Sequence, residues 1–199
     1  MSDYTEVAAR FQRDTASHEM AVLHDEGLYR HLRFKAPDTG FYWFDLVTWP
    51  GRLAFTGDMD GYVFARETDM FGFFRSGHGI NPGYWSEKVD GGRDRTKRYS
   101  EDRFRQLVIE HFVDSVQYGD APRGLGKAVR RELLEHPEAN FEEGARTALD
   151  CFEFKGFRFT DTTWEWDLRD YDWTFLWACH AIRWGIAQYD KLLAPAVAR

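Results

Sequence analysis

Two cysteines in 199 residues, Cys151 and Cys179, are all the thiol chemistry this chain carries. Neither stands at CxxC spacing, so no structural zinc site or paired disulfide is encoded in the usual way. Each falls in an apolar helical pattern and is expected as a buried thiol in a reducing compartment. Long hydrophobic runs are missing too. None approaches the roughly 20 residues that a membrane helix needs, so no membrane partner is expected. The opening MSDYTEVAARFQRD is polar and acid-bearing, which does not fit a secretion signal, and the expected location is the cytoplasm. GxGxxG, GxxxxGK[ST], GxSxG and HExxH are absent. Those gaps remove the motif routes to dinucleotide binding, phosphate cradling, the hydrolase elbow and the helical zinc site. No catalytic residue and no cofactor follows from any motif, and the enzyme reading is disfavoured.

What the chain does have is aromatic side chains, 17% of all residues. Rings bury large areas each, so a chain this long can build a sizeable core. A mean hydropathy of −0.58 and 30% charged residues suit a soluble surface. The rings concentrate in FYWFDLVTWPGRLAFTGDMDGYVFARETDMFGFFRSGHGINPGYW, residues 41–85.

The pattern predicts an α+β fold: an antiparallel β-meander of three to four strands packed against several α-helices, with a helical C-terminal half. It is taken as a single domain over residues 1–199. Residues 4–26 read as an N-terminal helix that Gly27 stops. The meander spans 28–66. Its first strand is 28–34, with Leu32 and Phe34 on one face. The run 41–48 is apolar on both faces and therefore central, and Asp45, set in a buried face, needs a partner. Trp49-Pro50-Gly51 is a turn in which Pro presets φ and Gly supplies positive φ. Strand 52–56, a five-residue loop at 57–61 and strand 62–65 complete it.

The helical part, 68–199, opens with Asp69 capping a helix through Phe74. Asn81-Pro82 starts another, 83–89. Residues 90–97, rich in Gly and charge, form the expected flexible loop. Ser100 caps a helix whose buried stripe is Phe104, Leu107, Val108, His111, Phe112 and Ser115. Further helices are expected at 124–136 and after Asn140, which forms a capping box with Glu143. Phe154, Phe157 and Phe159 read as extended, Trp164 to Leu168 as a short tryptophan-rich piece, and 172–193 as a largely buried last helix.

Candidate sites are few. Asp58 and Asp60 flank a glycine-bounded turn and could hold a hard cation, although turn chemistry explains them as well and EF-hand spacing fails. His78, between two glycines, could be a general base near Tyr84 and Trp85, or an exposed loop histidine with no role. Tyr84, Trp85, Glu87 and Lys88 carry the composition of a binding hot spot; Trp85 could equally pack on the sheet. His180 lacks a second ligand at i+3 or i+4 and reads as a buried, hydrogen-bonded histidine. Trp164, Glu165, Trp166, Asp167, Asp170 and Asp172 form an acidic run framed by tryptophans, a negative binding face or a capped and solvated one.

Charge is uneven within the net −7. Residues 93–105 hold six bases and three acids, whereas residues 135–172 hold eleven acids and four bases. Acidic surface repels phosphates, so no direct nucleic-acid partner is expected. It suits a basic protein surface, including that of a nucleoprotein complex.

The order YWFDLVTWPGRLAFTGDMDGYVF, DMFGFFR, INPGYWSEK, within residues 29–88, resembles a group of uncharacterised proteins of bacteriophages and prophages. The resemblance implies a phage-encoded protein acting inside a bacterial host cell. It further implies a non-catalytic binding protein that inhibits a host factor, a defence system such as CRISPR-Cas above all. It supplies no catalytic residues. The alternatives are a small enzyme or nucleotide-binding protein, with a pocket between sheet and helices built from Asp45, His78, Tyr84 and Glu87, and a virion assembly protein.

Overall fold

In the computed structural model, which describes residues 4–77, 79–119, 121–159 and 163–194, the chain is α+β. The described residues form two compact units. One is built from residues 4–97 and 171–194, the other from residues 98–170.

The first unit is organised by a five-stranded antiparallel meander, one strand more than the sequence pattern predicts. Strands β1 (Glu19–Glu26), β2 (Tyr29–Lys35), β3 (Phe44–Trp49), β4 (Arg52–Gly57) and β5 (Tyr62–Ala65) lie in chain order across the sheet. The expected helix over 4–26 is therefore two elements: α1 (Tyr4–Asp14) and β1. Gly27, at φ 63°, closes a β-hairpin instead of ending a helix. β1 is an edge strand with almost every residue exposed, so it shows none of the apolar alternation that marks a half-buried strand. β3 is central, as expected, but begins at Phe44; Phe41 is 71% exposed. Pro50-Gly51 makes the β3–β4 turn, with Gly51 at φ 80°.

Period-2 alternation sends Leu32, Phe34, Phe44, Leu46, Leu53, Phe55, Tyr62 and Phe64 to one face, where all are buried. Helix α7 (Trp173–Leu193), capped by the Asp172 carboxylate accepting from Thr174 N–H, packs there. Trp177 is fully buried, with its ring 5.7 Å from that of Phe44 and 5.0 Å from that of Phe11 on α1. Its indole N–H donates to Asp14 Oδ2 at 3.1 Å. Helix α2 (Met70–Arg75), capped by Asp69 as expected, lays Phe71 against Tyr189 of α7 and Phe74 against Phe64. Helix α3 (Pro82–Ser86) follows with Asn81 as its cap. Residues 93–96 of the expected loop form a turn of 3-10 helix with Thr96 fully buried.

Strands β6 (Lys97–Tyr99) and β7 (Arg169–Tyr171) form a separate two-stranded sheet. The second unit holds α4 (Glu101–Gln117), α5 (Leu125–Val129) continuing into a π-helical turn Arg130–Leu134, and α6 (Glu142–Cys151). Its own core includes Phe104, Val108, Leu125, Leu133, Ala145, Leu149, Phe152 and Leu168. Ser100 caps α4, as expected, by accepting from Arg103 N–H. The Asn140 capping box does not form: Phe141 occupies the cap position, with no side-chain cap bond. Cys179 is buried, but Cys151 at the end of α6 is exposed.

Gly185 sets how closely α7 meets the sheet. A Cβ there would lie 2.8 Å from Leu46 Cδ1 and 3.0 Å from Phe34 Cζ. Gly185→Val is expected to lower stability by about 1–3 kcal/mol through overpacking. Gly72→Ala on α2, where a Cβ meets nothing within 4 Å, should instead stabilise by about 0.5–1 kcal/mol. Urea unfolding of both variants checks this, and an unaltered midpoint for Gly185→Val would contradict the close packing.

Candidate functional site

The outer face of the five-stranded sheet carries a polar cluster. Register places Arg33 opposite Asp45 and His31 opposite Val47 on neighbouring strands. The Asp45 side chain is only 5% exposed. Its Oδ1 accepts from Arg33 Nε at 2.9 Å, and its Oδ2 accepts from Arg33 Nη2 at 2.8 Å and His31 Nε2 at 2.7 Å. This is the partner that a carboxylate in a buried strand face requires. Burial pushes the Asp45 pKa up, but the Arg33 and His31 hydrogen bonds outweigh it and hold the carboxyl below its ordinary range. Arg33 also lies over the Trp43 ring at 5.1 Å.

Asp45 is not among the residues that line the cavity holding Tyr84. Tyr84 lines a cavity of about 320 Å³ with Ser76, Gly77, Gly79, Ile80, Asn81 and Trp85. Its ring stands 5.6 Å from that of Phe73 and beneath the Lys88 ammonium at 4.5 Å. Trp85 is core, 2% exposed and packed edge-on against Phe74, and is not part of a recognition surface. Glu87 pairs with Arg93 at 2.5 Å and with Lys88 at 3.5 Å. His78 lies outside the described residues.

Asp58 and Asp60 serve the fold. Tyr42 sits at φ 59°, a conformation that disfavours a side chain. Asp58 Oδ2 stabilises it by accepting from Tyr42 N–H at 2.8 Å. Asp60 Oδ2 accepts from the Thr174 hydroxyl at 3.3 Å. No group of three or more His, Cys, Asp or Glu side chains able to hold a metal ion occurs among the described residues. His180 stacks on Phe11 and is lowered in pKa by burial, but its Nε2 has no hydrogen-bond partner, contrary to expectation.

The residues of the acidic, tryptophan-framed run differ in burial and in the contacts they make. Asp172 is the α7 cap. Asp167 Oδ1 accepts from Arg169 Nε at 3.1 Å. Trp166 is half-buried against His111 and Phe159, and Asp170 is half-buried in β7. Trp164, 74% exposed, Glu165 and Asp167 remain as surface.

The second unit offers more on α4. Phe104 and Val108 face its core, fully buried. At about 100° per residue, Ile109, Val113 and Val116 fall within an arc of roughly 60° away from that core. They are 47%, 51% and 53% exposed. Asp102, Gln106, Glu110 and Asp114, four apart, run beside them, and Gln106 Nε2 donates to Glu110 Oε1 at 2.8 Å. Residues 98–170 contain sixteen acids and eleven bases, hence −5 of the chain's −7. Most of those bases are engaged, as in Arg105–Glu101, Arg146–Glu142 and Arg130–Glu135. The sequence pattern identified the buried stripe of this helix and passed over the second apolar stripe. Three β-branched residues off the core face of an amphipathic helix are the signal that marks it.

Beside this stripe an open cleft of about 730 Å³ is lined by residues that include His111, Asp114, Ser115, Tyr118, Lys155, Phe157 and Arg158. His111 Nε2 is buried without a partner, and burial lowers the His111 pKa, so the ring is neutral near pH 7. Lys155 donates to the Arg123 carbonyl and Arg158 pairs with Glu153. The cleft is therefore lined by an imidazole, a carboxylate and a phenol, groups of a kind that hydrogen-bond a small polar molecule.

No protein-family model matches the chain, and no curated protein or solved structure is significantly similar to it.

Asp45 supplies the test of the outer cluster. Its depressed pKa means that its contribution to stability is present above the unfolded carboxyl value and is lost as pH falls through the folded one. Asp45→Asn should cost about 1–3 kcal/mol at pH 7. The gap to wild type should narrow below about pH 4. Urea midpoints across pH 2.5–7 (~0.5-unit steps) measure it; a gap that stays constant down to the lowest pH would show that the ionised pair contributes nothing.

Proposed function

We propose that this chain is a binding protein, and that the α4 face is its principal contact surface. The single observation that carries this reading is the exposed Ile109–Val113–Val116 stripe bordered by Glu110 and Asp114. An apolar centre with a charged border is the anatomy of a protein–protein hot spot. Its negative border selects a partner with basic surface. The resemblance to bacteriophage and prophage proteins supports a phage-encoded inhibitor of a host factor acting in the bacterial cell. A CRISPR-Cas complex, whose protein surfaces are basic where they hold nucleic acid, is the target class that fits the charge. Inhibition then needs occupancy of that surface and no chemistry. The cleft beside His111 favours a second reading, the binding of a small polar ligand in the same unit.

Expression of the protein in a host with an active CRISPR-Cas system should raise the plating efficiency of a targeted phage. The Ile109→Asp/Val113→Asp pair should abolish that effect while leaving the far-UV circular dichroism unchanged, because both side chains are half-exposed. Equal protection by wild type and the double variant would move the contact elsewhere. No protection against any defence system tried would defeat the inhibitor reading.

A further inference from the structure

The meander has two edges, and they are treated differently. At β5, Ala65 N–H donates to the Lys88 carbonyl at 2.9 Å and Asp90 N–H donates to the Val63 carbonyl at 2.7 Å, so residues 88–90 cover that edge. At the other side, β1 pairs with β2 alone among the described residues. Its eight residues, EMAVLHDE, leave one row of backbone donors and acceptors unmatched by any strand. In the middle of that row Val22 is 41% and Leu23 49% exposed. The ends carry Glu19 and Glu26, both exposed.

An open edge of this kind can take a further strand, either from a second copy or from a different chain. The charges decide between them. Antiparallel self-pairing about the Val22–Leu23 centre would set Glu19 of each copy against Glu26 of the other and Met20 against Asp25. Like charges placed directly opposite one another are destabilising. The β-bulge between Val22 and His24 divides the edge into two short regular stretches, whichever strand is added, so the charges alone discriminate between the occupants. The same carboxylates attract a strand with basic ends.

We propose that the free edge of β1 is a docking site for an extended peptide segment with an apolar centre and basic residues at both ends, bound by strand addition. The main-chain ladder supplies the binding, Val22 and Leu23 contact the apolar centre, and Glu19 and Glu26 set the polarity of the ends. This site uses none of the α4 residues, and its occupancy does not depend on them.

The probe is the capped peptide Lys-Lys-Val-Thr-Val-Thr-Lys-Lys, titrated into the full-length 15N-labelled protein up to about 1 mM, the concentration scale of weak strand addition. Saturable amide shifts confined to Glu19–Glu26 and β2 are expected. The same peptide with Glu in place of every Lys should give none, and a copy N-methylated at alternate residues should lose binding. Glu19→Lys/Glu26→Lys, two exposed positions that leave the fold intact by circular dichroism, should weaken binding about tenfold or more. Three results would overturn the proposal: no shifts in β1 at the highest concentration, equal binding of the Glu and N-methylated peptides, or shifts mapping to the outer sheet face. Concentration-dependent dimerisation through β1, seen by light scattering and lost on Val22→Asp, would equally overturn it in favour of a second copy.

Discussion

The contact on which the first unit depends is the seating of α7 on the sheet at Gly185 and Trp177. Gly185 lets the helix backbone come within a methyl group's reach of Phe34 and Leu46. Trp177, about two turns toward the N-terminus, fills the space between Phe11, Tyr42, Phe44 and Phe55. The two devices are complementary: a missing side chain brings the layers together, and a large one fills the space where they diverge. Close-packed interiors reward this matching and penalise any change of volume. Long-range polar bonds lock the same arrangement, with Trp177 donating to Asp14 and Tyr189 donating to Asp25. A sheet made from the first third of the chain is therefore completed by its last helix. Pairings of such sequence separation slow folding, since the loop must close before the contacts form.

That architecture explains why so few of the aromatic residues are available for recognition. The rings between Phe44 and Trp85 are largely consumed by the α7 and α2 contacts. Polar groups in the same stretch are spent likewise on holding the backbone: Asp58 on Tyr42, Asp69 on α2, Asp45 on Arg33 and His31. What faces outward is of another kind. It includes the β1 edge, the polar cluster around Asp45, and in the second unit the apolar stripe of α4 with its cleft. These surfaces present area and charge, the features by which proteins contact other macromolecules.

Much of the first unit was legible from the chain alone. Strands β2 to β5, the Pro50-Gly51 turn, the Asp69, Asn81 and Ser100 caps and the last helix all follow from alternation, helical periodicity and local hydrogen-bonding residues. The errors have physical causes. β1 looked helical because an exposed edge strand has no buried face to impose a period of two. Phe141 took the cap position from Asn140 even though it offers no capping oxygen, so tertiary packing overrode propensity there. At the site level, the need of Asp45 for a partner could be read, but not which residues would answer it.

The sequence by itself determined the α+β class, the run of the meander and the acidic bias of residues 98–170, since these depend on periodicity, turn chemistry and composition. Only the tertiary structure decided that Trp85 is core while Ile109, Val113 and Val116 are surface, that Asp172 is a cap and Asp58 a backbone clamp, and that one sheet edge is covered while the other, among the described residues, takes no further strand. Those outcomes depend on which neighbour, distant in the chain, arrives at each side chain. A residue's type does not encode that, and spacing along the chain records it only where the contact is local.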